Sequence, residues 1–192
     1  MKLIGAHLSI AKGLHTVQKQ MDILGCETCA IFLKNQRKFE SSELSLAEIE
    51  KFRKTVRNPT IILPHGSYLI NLANPDTVEK NMTCFLDDLR RCHKLGIQLY
   101  NLHPGSDTKK IGTAAATKLI ADNINRAMEE VPNISICIEN MAGQGNVLGK
   151  TFEELRMIID NVKDKQRIGI TLDTCHLFVA GFDIRTDESF EK

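Results

Sequence analysis

Four residues able to bind a divalent metal recur at nearly even intervals: His65, His103, Glu139 and Asp173, spaced by 38, 36 and 34 residues. Each follows a short apolar run. Thr60–Leu63 leads into Pro64-His65-Gly66-Ser67-Tyr68, and Gln98–Leu102 into His103-Pro104-Gly105-Ser106. Ile134–Ile138 leads into Glu139-Asn140, and Ile168–Leu172 into Asp173-Thr174-Cys175-His176. Imidazole and carboxylate together suit zinc, and also manganese or iron. A carboxylate between two such sites can bridge two ions, and Glu139 is well placed to do so. A single histidine at a strand end is ordinary, but ligands at the same point of consecutive units are not. His15 and His93 fall within helical stretches and are expected to be plain surface or core residues.

The elements that must position these residues are legible from periodicity. Leu3–Ala6, Thr28–Leu33 and the four runs above have the length and composition of strands buried on both faces. Amphipathic helices lie between them. In the third, Val78, Met82, Phe85, Leu86, Leu89 and Cys92 form one apolar stripe, as do Leu119, Ile120, Ile124, Ala127, Met128 and Val131 in the fourth. The fifth opens with Thr151 and Glu154 in capping-box spacing before Leu155, Ile158 and Ile159. Such alternation means parallel strands joined by crossovers, here five βα units and a sixth strand. An open doubly wound sheet and a (β/α)8 barrel compete. The first βα turn, from His7 to Gly13, lacks the glycine spacing of a dinucleotide or P-loop cradle. Metal-ligand residues gathered at C-terminal strand ends, where barrel enzymes place their chemistry, favour the barrel.

Composition narrows the partners. The net charge of +1 supplies no global basic field, so any nucleic acid must be met by a local patch, for which Lys34, Arg37 and Lys38 are the candidates. The six cysteines show no framework spacing, and no run approaches the roughly 20 apolar residues of a membrane span. The expectation is a reduced, intracellular protein, cytoplasmic or, in a eukaryote, nuclear. Cys26 and Cys29 lack a second Cys or His pair and are expected beside the core, and Cys175 is expected to pack.

Seven collinear segments resemble the endonuclease IV family, the family 2 abasic-site endonucleases. They are Ile4-Gly5-Ala6-His7, Lys34-Asn35-Gln36-Arg37, Leu63 to Leu72, His103-Pro104-Gly105-Ser106, Ile138-Glu139-Asn140 through Gly145, Leu172 to His176, and Ala180-Gly181-Phe182-Asp183. The resemblance implies a (β/α)8 barrel with three zinc ions on its rim, acting as a monomer on double-stranded DNA that contains abasic sites. It implies that His65, His103 and Glu139 hold one zinc, that catalytic Glu139 bridges to a second also bound by Asp173, and that His176 serves the third. It further implies that Gln36, Arg37 and Tyr68 contact the DNA. The implied reaction is hydrolysis of the phosphodiester 5′ to the abasic deoxyribose, leaving a 3′-hydroxyl and a 5′-deoxyribose phosphate.

The family barrel has eight units, whereas this chain offers six strands and ends in what reads as the first turn of another helix, capped by Thr186. The expectation is a single, incomplete barrel domain over residues 1–192, with only the first zinc site complete and activity weak or absent. Two alternatives stand: a non-catalytic zinc- or DNA-binding remnant, and a metal-dependent sugar isomerase or epimerase. The segment from Lys34 to Arg37 and Tyr68, which a small-sugar pocket does not require, argues against the second.

Overall fold

Strand and helix alternate along the chain: β1 (Gly5–His7), α1 (Val17–Leu24), β2 (Thr28–Phe32), α2 (Leu46–Thr55), β3 (Ile62–His65) and α3 (Val78–Leu95). Then follow β4 (Leu99–Leu102), α4 (Thr113–Glu130), β5 (Ser135–Glu139), α5 (Phe152–Asn161), β6 (Ile168–Thr171), α6 (Thr174–Val179) and α7 (Asp187–Phe190). The structure, a computed structural model, describes residues 2–191, so Lys192 at the end of the expected last turn lies outside the described residues. All strand pairs are parallel, in the order β1-β2-β3-β4-β5-β6. A doubly wound sheet reverses its order partway and this one does not, so the architecture is the barrel type. Among the described residues β1 and β6 each pair on one side only, and the ring is open.

The local sequence accounts for most boundaries. Ser45 caps α2 with a reciprocal box, its hydroxyl accepting from the Glu48 amide at 3.2 Å while the Glu48 carboxylate accepts from the Ser45 amide at 2.9 Å. Gly96 ends α3 in the left-handed conformation (φ 78°), which spares the usual Cβ penalty. The expected strand at Thr60 instead begins at Ile62, because Asn58 and Pro59 start a 3₁₀ turn over Pro59–Ile61. The first strand begins at Gly5 rather than Leu3, and Leu3 and Ile4 are exposed. The box expected at α5 is only half present. Thr151 accepts from the Glu154 amide, but the Glu154 carboxylate instead accepts from the amides of Gly149 and Lys150 at 2.8 and 3.1 Å.

The core lies between the sheet and its helices. Ile31, Ile62, Tyr100 and Ile136 from the strands meet Phe52, Phe85, Leu89, Ile124 and Ile158 from the helices, all with essentially no exposed surface. The α3 stripe is buried from Met82 to Cys92, as its spacing requires, and only Val78 at its start is partly exposed. Among the described residues no helix is long and apolar enough to cross a membrane.

Candidate metal centre

The parallel strands bring the ligand-type residues to one rim. His65 and Glu139 end β3 and β5, and His103 follows β4 directly. Asp173 leaves β6 as the N-cap of α6, its carboxylate accepting from the His176 amide at 2.8 Å. Glu139 is the hub and is only 4% exposed. Its Oε2 lies 3.3 Å from His65 Nε2, and its Oε1 lies 3.4 Å from His103 Nε2 and 3.3 Å from His176 Nδ1. Two ligand groups result, each with atoms within 4.8 Å of one another: His65, His103 and Glu139, and Glu139, Asp173 and His176. His176, expected on a separate ion, thus stands beside Glu139 and Asp173.

Electrostatics prepares this cluster for a cation. Burial pushes the Glu139 carboxyl up, but hydrogen bonds from His103, His65 and Asn101 outweigh it and hold the group far below the usual carboxylate range. The His65 imidazolium is disfavoured by burial, yet its bond to Glu139 more than compensates and raises its pKa. His65 Nδ1 lies 2.8 Å from the Gly66 carbonyl, a bond that turns its other nitrogen toward the cluster as in many metal-bound imidazoles. His176 differs: its Nδ1, the nitrogen that faces Glu139, also lies 2.9 Å from the Asn140 carbonyl. Three imidazoles converging on a buried anionic carboxylate, with a second carboxylate beside it, are a donor set that fits a divalent ion such as zinc.

Of the residues expected to read DNA, Tyr68 stands beside the cluster. Tyr68 is 56% exposed and packs edge-on to His65, with ring centroids 5.4 Å apart. Arg37 is exposed and Gln36 half-buried. Ser67 Oγ donates to the Gln36 carbonyl at 2.8 Å, which ties the loop after β2 to the turn carrying Tyr68. Lys34 does not belong to the surface patch expected of it. It is 6% exposed and its ammonium is paired with Asp87 and Asp88, so the basic patch reduces to Arg37 and Lys38. In the loop 142–145, Gly143 and Gly145 adopt positive φ values of 86° and 58°, as its turns require.

Three residues that the sequence does not single out as ligands still shape the site. His7 packs on Phe32 at 4.9 Å between centroids, and Phe32 lies 5.5 Å from both His65 and Tyr68, which extends the ring cluster across β1 to β4. Asn101 Nδ2 donates to Glu139 Oε2, and its own Oδ1 is buried without a hydrogen-bond partner. Among the described residues neither ligand group contains a cysteine. Burial of Cys29 pushes its thiol up to about 11, which rules out a reactive thiolate near neutral pH. Cys175 is exposed on the short α6 rather than packed, because only Leu177 of that helix turns inward.

Parallel βα units in sequential order, with a His, Glu and Asp cluster on the C-terminal rim, define a TIM-barrel-type protein with a metal-competent rim. The family described as xylose isomerase-like TIM barrel matches residues 21–192. The probable endonuclease 4 of Chlorobium limicola is 43% identical across the whole of this chain, which covers 68% of that relative. The apurinic-apyrimidinic endonuclease 1 of Plasmodium berghei is 47% identical over 98% of this chain, which covers 38% of that protein. The solved structure of endonuclease IV from Thermus thermophilus superposes with a TM-score of 0.83 at 30% identity, over 99% of this chain and 70% of that one. The chain belongs to the xylose isomerase-like TIM-barrel family and, within it, to the endonuclease IV type.

Proposed function

We propose that this chain carries the metal-binding and DNA-reading rim of an apurinic/apyrimidinic endonuclease of base-excision repair. The reaction is hydrolysis of the phosphodiester 5′ to an abasic deoxyribose, yielding a 3′-hydroxyl and a 5′-deoxyribose phosphate. The observation that carries the reading is the close His65, His103 and Glu139 group with exposed Tyr68 packed against its two imidazoles. His65, His103 and Glu139 would hold a first zinc, and Glu139 and Asp173, with His176 close by, would offer ligands to a second. When bound, such ions acidify water and neutralise charge on the phosphate oxygens. The chain's own residues supply the geometry. Glu139, kept anionic by its hydrogen-bond donors, presents both oxygens to the ligand groups on either side. Tyr68, Gln36 and Arg37 engage the duplex at the lesion, where extruding a nucleotide is cheapest because its base is already missing.

A zinc- and DNA-binding role without turnover is the second reading. It is favoured by the open sheet among the described residues, in which each ligand group offers three residues, with Glu139 counted in both. The test is a duplex oligonucleotide bearing one abasic-site analogue, incubated with zinc and the chain, with bound metal counted in parallel. Incision 5′ to the lesion that disappears in Glu139→Gln supports the enzyme. Zinc and duplex binding without incision supports the second reading, and failure to bind either ligand sinks both.

A further inference from the structure

Lys34 opens the loop that carries Gln36 and Arg37, yet its side chain is only 3% exposed. Its ammonium lies 2.6 Å from Asp87 and 3.1 Å from Asp88, and it donates to the Cys84 carbonyl at 3.2 Å, all on α3. Arg91, one turn further along, donates to the same Asp87 at 2.9 Å and to the Ser42 carbonyl at 2.6 Å. Asp87 therefore joins a cation at the start of the loop to a cation that grips its far end. The network continues inward. Asp88 accepts from the Tyr100 hydroxyl at 2.7 Å, and a Cβ added at Gly66 would fall 2.6 Å from that hydroxyl oxygen. Gly66 adjoins His65, and the Ser67 bond to Gln36 closes the circuit from the other side. Stability alone does not account for four mostly buried charges, since apolar residues of similar volume do as well or better. What the cluster supplies is a fixed geometry.

We propose that Lys34 is a positioning residue rather than a DNA contact: with Asp87, Asp88 and Arg91 it clamps both ends of the loop 34–42 onto α3 and so sets where Gln36 and Arg37 meet the duplex. The proposal rests on the DNA-reading role of that loop. It differs from a phosphate contact in a measurable way. Losing a phosphate contact lowers the slope of log affinity against log salt by about 0.9, whereas losing a clamp weakens binding and leaves the slope alone.

Lys34→Met alone strands the Asp88 carboxylate and risks unfolding the chain on that account, so it is paired with Lys34→Met combined with Asp88→Asn, which removes both charges. The three readouts are the melting temperature, amide hydrogen exchange over residues 34–42 and 66–70, and salt-dependent affinity for an abasic-site duplex. The double variant is expected to melt close to the parent while exchange in the two segments rises on the order of tenfold, the size of coupling between neighbours. Duplex affinity is expected to fall by a similar factor at unchanged salt slope, while Arg37→Ala lowers the slope. Unchanged exchange over 34–42 in the double variant, or a slope lowered as much as by Arg37→Ala, overturns the clamp. Should the parent bind no duplex, the DNA-reading role fails, and exchange still decides whether Lys34 holds the loop.

Discussion

Glu139 shows how neighbours, one residue at a time, hold a buried carboxylate in its charged form. Asn101 lies two residues before His103 on β4 and so shares its face of the strand. Its amide donates to Glu139 Oε2, the oxygen that also faces His65. Asn101→Ala is expected to weaken zinc binding by roughly 10–100-fold, the usual cost of losing a group that orients a metal ligand. Chelator competition measures this, and an unchanged affinity rejects the role. His65, His103, Glu139 and Asp173 were legible because ligand types at the ends of apolar runs stand out. Asn101 was not, because an amide has no such signature, and His7 was visible only as part of a motif without a role. A second residue-scale prediction concerns pH. Burial raises the Cys29 thiol from 9.0 to about 11, so between those values the folded chain keeps a proton that the unfolded chain has lost. Stability must then fall as pH rises from about 9 to 11, by at most about 1.4 kcal/mol per pH unit for this group. Buried Cys92 and Tyr100, raised by desolvation, act in the same direction. Denaturant titrations across this range should show a shallower decline in Cys29→Ala than in the parent. Identical declines would mean that Cys29 contributes nothing.

The elements were read from two periods, and they hold where a single face decides. The α3 stripe reads directly as a buried face, and the sequential parallel order follows from repeated βα units. What the sequence concealed depends on partners far along the chain. Lys34 looks like one more loop cation until α3 brings Asp87 and Asp88 to it. Glu154 has the spacing of a capping residue, but its carboxylate is taken by the amides of Gly149 and Lys150. Gly149 in turn accepts from the Met141 amide at 2.9 Å, which folds the loop after Glu139 back on α5. Glu154→Ala is therefore expected to cost about 1–3 kcal/mol, because the amide of Gly149 is left without its acceptor. Thr151→Ala loses only a cap and should cost about 1 kcal/mol. Urea unfolding of the two variants ranks them, and a larger loss in Thr151→Ala would return Glu154 to an ordinary capping role.

At the scale of the chain described, the sheet has two edges that are unpaired among the described residues. Strand edges present free N–H and C=O groups, and β1 and β6 are such edges among the described residues. Apolar surface accompanies the β6 edge: Ile170 is 44% exposed, Leu172 57% and Val179 63%. Phe152 and Met157 of α5 lie nearby with similar exposure and line a groove with Ile170. A net charge of +1 supplies little repulsion to keep copies apart. The chain alone is therefore expected to self-associate through this surface, against the monomer implied by family resemblance. Sedimentation velocity over a rising concentration series should show growth in mean size, accompanied by binding of a dye that reports apolar surface. Replacing Ile170 and Val179 by lysine should suppress both signals, because charge on an edge opposes pairing without removing any core contact. A parent chain that stays monomeric and dye-negative throughout would show that the β6 edge is no docking surface, and the exposed residues would then be inert.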